Sequence, residues 1–144
     1  MDTRFSSAIH ALILISEAET PMTSEQIAES VGTNASYIRK VIGLLKKQGI
    51  IRSSQGVGGF SLLFPPEQLT LYAVYQAIHE TDDVHIFDLH QNPNDQCIVG
   101  RHIRPTLTYM FRGIETQAER ELKTTTLADC IAEMRSEIKQ EENQ

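Results

Sequence analysis

The chain has 144 residues, 40% of them hydrophobic, and a formal net charge of −6. That length supports one domain with a proper core plus an extension, and the acidic balance excludes indiscriminate coating of nucleic acid or of an anionic membrane surface. No apolar run approaches the roughly 20 residues that span a bilayer, and two cysteines, Cys97 and Cys130, make no disulfide framework, so the expected compartment is the reducing cytoplasm.

Thr3 to Glu17 reads as a helix with Phe5, Ile9, Leu12, Ile13 and Ser16 on one side. Its apolar run, Ala8 to Ile15, is interrupted by His10 and preceded by Asp2, which makes a poor signal peptide. Glu19-Thr20-Pro21 is a turn. Thr23 followed by Gln26 has the spacing of a capping box, and it opens a helix, Ser24 to Val31, with Ile27, Ala28 and Val31 on one face. Gly32 supplies the φ > 0 position that stops this helix, and Thr33 and Asn34 can each cap the next. The second helix carries Ile38, Val41, Ile42 and Leu45 on one stripe. This order of small, turning and apolar residues reads as a helix-turn-helix; two packed core helices with no such role are the blander alternative.

Gly49 ends the second helix, and a hairpin follows. Ile50 to Ser54 is the first strand, Gln55-Gly56-Val57-Gly58-Gly59 a glycine-rich tip, and Phe60 to Leu63 the return. Such a wing is small enough to lie along a groove, and its glycines let backbone come close to phosphate. From Thr33 to Leu62 the chain holds five cations (Arg39, Lys40, Lys46, Lys47 and Arg52) and none of its 19 acids. A basic island in an acidic chain is an electrostatic footprint for a polyanion; a merely solvated face normally mixes both signs. The candidate DNA contacts are Thr33, Asn34, Ser36, Tyr37, Arg39 and Lys40 around the start of the reading helix, where side chains reach base edges. Lys46, Lys47 and Arg52 are placed on phosphate, and Gln55, Gly56, Val57 and Gly58 at the wing tip.

Pro65-Pro66 breaks the second strand. Thr70 caps a helix from Leu71 to His79, with Leu71, Val74, Tyr75 and Ile78 facing inward. Glu80 to Gly100, with His85, His90 and Asn92-Pro93-Asn94-Asp95, reads as a loop of a length that is usually functional or mobile. Arg101 to Lys123 is a long amphipathic helix whose Ile103, Leu107, Met110, Phe111, Ile114, Ala118 and Leu122 recur in steps of three and four, close to a coiled-coil seam. Packing against a second copy of the chain is the favoured reading of that stripe; packing against Leu127 to Ile138 is the alternative. Thr126 with Asp129 caps the last helix, whose inner face would be Leu127, Cys130, Ile131, Met134 and Ile138, and the tail from Gln140 to Gln144 is expected to fray. The expected fold is therefore mainly α with a small β wing. Residues 1–80 would form a winged helix-turn-helix domain, 81–100 a sensor-type loop, and 101–144 a long dimerisation helix and a C-terminal helix.

With the layout in view, the chain resembles the Rrf-two family of bacterial winged-helix transcription regulators. The matching residues are Ala8 to Leu14, Thr23 to Leu45, the wing Gly56-Val57-Gly58-Gly59-Phe60-Ser61-Leu62, Leu71 to Ile78, and Cys97 ahead of the long helix. The resemblance implies a homodimer crossed through the long helix, binding a pseudo-palindromic operator in double-stranded DNA and acting as a repressor. Cluster-binding relatives carry three cysteines in the loop, with five residues between each and the next. With Cys97 as the last of them, the others fall on Gln91 and His85, so two of the three are absent and no iron–sulfur cluster is expected. The chain is similar instead to the cluster-free, YwnA-like subgroup, which leaves a small-molecule or redox effector unidentified and Cys97 as the candidate sensor. Cys97 kept only for packing is an equal alternative.

Two other classes compete. A winged helix used as a protein-interaction module without DNA binding would account for the fold but not for the basic island. An enzyme or metal site built on His85, His90, Cys97 and His102 has spacings that match none of the tight zinc patterns, and the chain shows no glycine-rich phosphate loop or serine-nucleophile elbow; no catalysis and no metal are expected.

Overall fold

The computed structural model describes every residue except Met1, Gln55 and Val57. Among the described residues six helices and one hairpin follow in order: α1 (Arg4–Glu17), α2 (Ser24–Val31), α3 (Ala35–Lys47), β1 (Ile51–Ser53), β2 (Phe60–Leu62), a 3₁₀ turn (Pro66–Gln68), α4 (Leu71–His79), α5 (Ile98–Thr124) and α6 (Leu127–Glu142). The fold is a winged helix-turn-helix, mainly α with a two-stranded antiparallel wing. No helix among the described residues is long and apolar enough to cross a membrane.

Local chemistry accounts for most boundaries. The Thr23 hydroxyl accepts from the Gln26 N–H while the Gln26 side chain accepts from the Thr23 N–H, both arms of a capping box. Gly32 stops α2 at φ 85°. Asn34, not Thr33, caps α3, its Oδ1 accepting from the Tyr37 N–H at 2.8 Å. Ile38, Val41, Ile42 and Leu45 are the buried residues of α3, the stripe its spacing predicts. Thr70 caps α4, and Thr126 with Asp129 forms a second capping box on α6.

The core gathers α1 to α4, β1 and the base of α6. On α1 the buried residues are Ser7, Ala8, Ala11, Leu12 and Ile15, a face rotated away from the Phe5, Ile9, Ile13 and Ser16 side. The reason is that α1 is surrounded by α4, β2, α2, α3 and α6, so Ala8 and Ala11 are buried with Leu12 and Ile15 while Phe5, Ile9 and Ile13 pack half-buried around them. On α4, Ala77 is buried with Val74 and Ile78, whereas Leu71 and Tyr75 are half-buried. The strands are shorter than the sequence suggests: Ile50 donates to Leu45 O and accepts from Leu63 N–H as a connector, leaving three paired residues per strand.

The C-terminal third differs most. Helix α5 begins at Ile98, not Arg101, and runs through Pro105. Helix α6 stays helical to Glu142, where fraying from Gln140 was expected. It packs on α1 and the 3₁₀ turn, not along α5. Backbone bonds from Leu71 N–H to Thr125 O and from Leu127 N–H to Leu69 O anchor its start, and Arg135 sits 2.7 Å from Glu17. Leu127 and Ile131 are buried, Cys130 and Met134 half-buried, and Ile138 is exposed. The loop before α5 is held down: Tyr75 Oη accepts from His85 N–H and donates to His85 O, and Arg104 donates to His90 O at 2.7 Å.

Candidate nucleic-acid interface

With Ile38, Val41, Ile42 and Leu45 inward, helical geometry puts Ser36, Lys40, Gly43 and Lys47 on the opposite side of α3, and all four are exposed. Arg39 and Lys46 flank that line, also exposed. Tyr37 departs from its expected place. It packs half-buried against the core, and its phenol oxygen is buried with no hydrogen-bond partner among the described residues. One step of 100° separates it from Ser36, enough to turn it toward α1. Thr33 is half-buried, and Asn34 spends its carbonyl oxygen on the cap.

The cations are not equally free. Arg39 Nη2 lies 2.8 Å from Glu25 Oε1 on α2, and Lys47 Nζ lies 2.8 Å from Glu80 Oε1. Lys46 Nζ donates to Ser53 Oγ at 2.9 Å, tying the end of α3 to the wing. Among the described residues Lys40 and Arg52 have no ion-pair partner. The Glu25 and Glu80 carboxylates are held below their usual pKa, Glu25 by its own backbone N–H and then Arg39, Glu80 by Lys47. Such exposed pairs are weak because water screens them, so a phosphate can displace the carboxylate. No sequence rule foresaw these pairings, because each partner lies outside the basic stretch.

At the wing, the Ser54 N–H donates to Gly59 O at 2.8 Å and Ser54 Oγ lies 3.0 Å from Ser61 Oγ, closing the hairpin below its tip. Gly56 and Gly58 are exposed at positive φ. The expected contacts Gln55 and Val57 lie outside the described residues. Gly59, at φ 127°, is where the wing meets the α1–α2 connection; a Cβ there would stand 2.5 Å from Pro21 Cβ.

The predicted stripe on α5 divides. Phe111 stacks on Phe87 of the loop with centroids 4.8 Å apart, and Ile103, Leu107, Ala118 and Leu122 are also half-buried within the chain. Met110 and Ile114 are exposed at 55% and 50%, beside Tyr109 at 79%. What the sequence missed is Glu115. Its Oε2 accepts from the Ile86 N–H at 2.6 Å and the Phe87 N–H at 3.2 Å, so one carboxylate fastens the loop to α5. Gly100 belongs to the same seam, since a Cβ there would collide with the Asn94 carbonyl.

Cys97 is the exposed N-cap of α5, and the N–H groups of Gly100 and Val99 hold its thiol below the usual pKa. Burial, then Asp129, pushes Cys130 up. His85 lies 2.7 Å from Asp88, which raises its pKa, and 3.7 Å from Glu115. Among the described residues no three His, Cys, Asp or Glu side chains gather as a metal-holding group. An ordinary iron–sulfur cluster takes several thiolates; this loop holds one, Cys97, and the exposed His85 ring lies beside the Asp88 and Glu115 carboxylates.

Comparison with known proteins gives a consistent picture. The family model described as Rrf2, iron-dependent transcriptional regulator, matches residues 1–133. YwnA of Bacillus subtilis (strain 168), provisionally named an HTH-type transcriptional regulator, is 40% identical over 131 residues, covering 91% of this chain and 96% of YwnA. A crystal structure of a protein provisionally described as DNA-binding is 38% identical, with a TM-score of 0.71, over 89% of this chain and 98% of that one. CymR (YrzC), the global cysteine regulator of B. subtilis, has a TM-score of 0.68 at 17% identity over 92% of this chain and 95% of that one, a likeness of fold alone.

Proposed function

Because this chain belongs to the Rrf2 family and is a DNA-binding transcription regulator, we propose that it is a homodimeric repressor whose paired α3 helices read a pseudo-palindromic operator. The observation that carries the DNA-reading half is the outward line of α3, with Ser36, Lys40 and Lys47 exposed and the wing tied beside it through Lys46 and Ser53. Lys40 is the first candidate for base reading, since Arg39 starts in a pair with Glu25. A cation there can address the O6 and N7 acceptors of guanine. Arg52, on the wing strand, is placed on phosphate. Lys40→Ala should weaken operator binding by about 1–3 kcal/mol and relax one operator position, whereas Arg52→Ala should flatten the slope of log K against log salt by about 0.9. Competition assays on single-base operator variants and salt titrations check both. If neither substitution changes selectivity or slope, α3 and the wing are not the reading surface.

The dimer reading is supported by the uncovered face of α5. Tyr109, Met110 and Ile114 lie exposed on it, and Gly113 among them would meet nothing if it carried a Cβ, so a second helix can approach closely. Contiguous apolar surface of this kind marks an interaction site. With the C-terminal helix packed elsewhere, a copy of α5 is the natural cover.

We place the effector input at Cys97 and propose that it operates without a cluster. A thiolate at a helix N-terminus is the reactive form, and peroxide converts it to sulfenic acid. Cys97→Ser should bind the operator like the parent under reducing conditions yet no longer release it with mild peroxide. Identical responses of parent and variant would remove Cys97 from this role.

A further inference from the structure

Six of the eight glycines have an identifiable reason within the chain, and a seventh, Gly113, has one only in the proposed dimer. Gly32, Gly49, Gly56, Gly58 and Gly59 hold positive φ, Gly100 lies against the Asn94 carbonyl, and Gly113 sits on the α5 face assigned above to a second copy. Gly43 has none of these. It is in the middle of α3 with ordinary helical backbone, exposed, and a Cβ there would meet nothing within 4 Å among the described residues. Glycine is the poorest helix former after proline, so at this position it weakens α3 while relieving no contact inside the protein.

Its surroundings indicate what the missing side chain makes room for. Lys40 is one turn before it, Lys46 and Lys47 one turn after, and Ser36 two turns before, all exposed. Gly43 is thus a notch of bare backbone in the cationic outward line of the reading helix. We propose that Gly43 is the close-approach position of this interface: the duplex seats against the α3 backbone there, and the absence of a side chain sets how deeply the helix enters the major groove. This rests on the DNA-reading function above and adds to it a specificity-determining residue that makes no hydrogen bond through its side chain. Seating depth matters for base contacts, which need close fit, and hardly at all for the long-range attraction of lysines to phosphate. Loss of the notch therefore strikes selective binding and spares bulk binding.

The test compares the full-length parent with Gly43→Ala and Gly43→Leu, using an operator fragment selected by the parent and, separately, bulk genomic DNA. Both variants should fold, and Gly43→Ala should melt about 1–4 °C above the parent, as a helix-favouring change does. Affinity for the selected operator should fall about tenfold for Ala and about 100-fold for Leu, the scale of overpacking a fitted surface, with an unchanged salt slope and unchanged affinity for bulk DNA. Operator affinity equal to the parent in both variants would overturn the proposal. So would a lowered melting point in Gly43→Ala, which would give the glycine an internal role, or an equal loss on operator and bulk DNA. A parent that prefers no duplex over bulk DNA overturns the functional reading itself, an outcome separate from a selective parent whose Gly43 variants bind as well.

Discussion

The expected result of Met110→Asp is a folded monomer whose affinity for the operator is lower by at least about 100-fold, the scale that would be lost if two tethered half-site contacts became independent. Met110 is 55% exposed within one chain, so a carboxylate there keeps its water and hardly disturbs the monomer. Against a second α5 it would have to be desolvated, at a cost of several kcal/mol in an apolar interface. Phe111, at the centre of the predicted stripe, is the worse probe. Its ring stacks on Phe87, so Phe111→Asp would detach the loop as well, and a loss of binding would have two causes. Light scattering with circular dichroism separates the cases. A Met110→Asp protein that remains dimeric and helical would mean that the open face of α5 is not the interface.

Gly59→Ala costs the fold more than any other single methyl at the wing. L residues rarely adopt its φ of 127°, and the new Cβ would lie 2.5 Å from Pro21 Cβ and 3.0 Å from both Pro21 C and Met22 O. Backbone strain of this kind costs about 1–3 kcal/mol, and overpacking a similar amount, about 1–3 kcal/mol. Against a total stability of about 5–15 kcal/mol, the pair should lower the melting point by about 10 °C and move the wing off the α1–α2 connection, weakening DNA binding too. Gly56→Ala is the internal comparison. Its φ is also positive, at 80°, but among the described residues nothing lies within 4 Å of where a Cβ would stand, so it should show the strain without the contact and a clearly smaller effect. Equal losses at the two positions would mean that the Pro21 contact contributes nothing.

The reading unit was legible because each of its boundaries is written in one residue type with one physical job. Thr23 and Gln26 cap, Gly32 turns, Asn34 caps again, and the apolar positions of α3 recur with the helical period. Nothing comparable marks the face of α1. A helix covered on most sides has little polar flank to set against an apolar one, and its Ala8 and Ala11 are as fully buried as its Leu12. Helix α5 starts three residues before the expected Arg101, and Pro105 lies inside it. The strap between Glu115 and the backbone of Ile86 and Phe87 joins residues 29 and 28 positions apart, beyond any local pattern. At the site itself, exposure of the basic residues was foreseeable, while the inward turn of Tyr37 and the Arg39–Glu25 and Lys47–Glu80 pairs needed tertiary structure. Gly43 carried a signal that spacing rules miss, a glycine inside a helix that its neighbours do not require.

The most direct measurement is of duplex recognition by the full-length protein. Fragments of genomic DNA captured by it are sequenced, and the enriched duplex is titrated at several salt concentrations beside a scrambled duplex of the same composition. The expected result is enrichment of a sequence with two related half-sites about one helical turn, or a multiple of it, apart. Binding should be preferential for that duplex and fall steeply and linearly in log K against log salt as phosphate contacts are screened. Equal affinity for the enriched and scrambled duplexes, or affinity that does not respond to salt, would contradict the assignment of α3 and the wing as a reader of DNA.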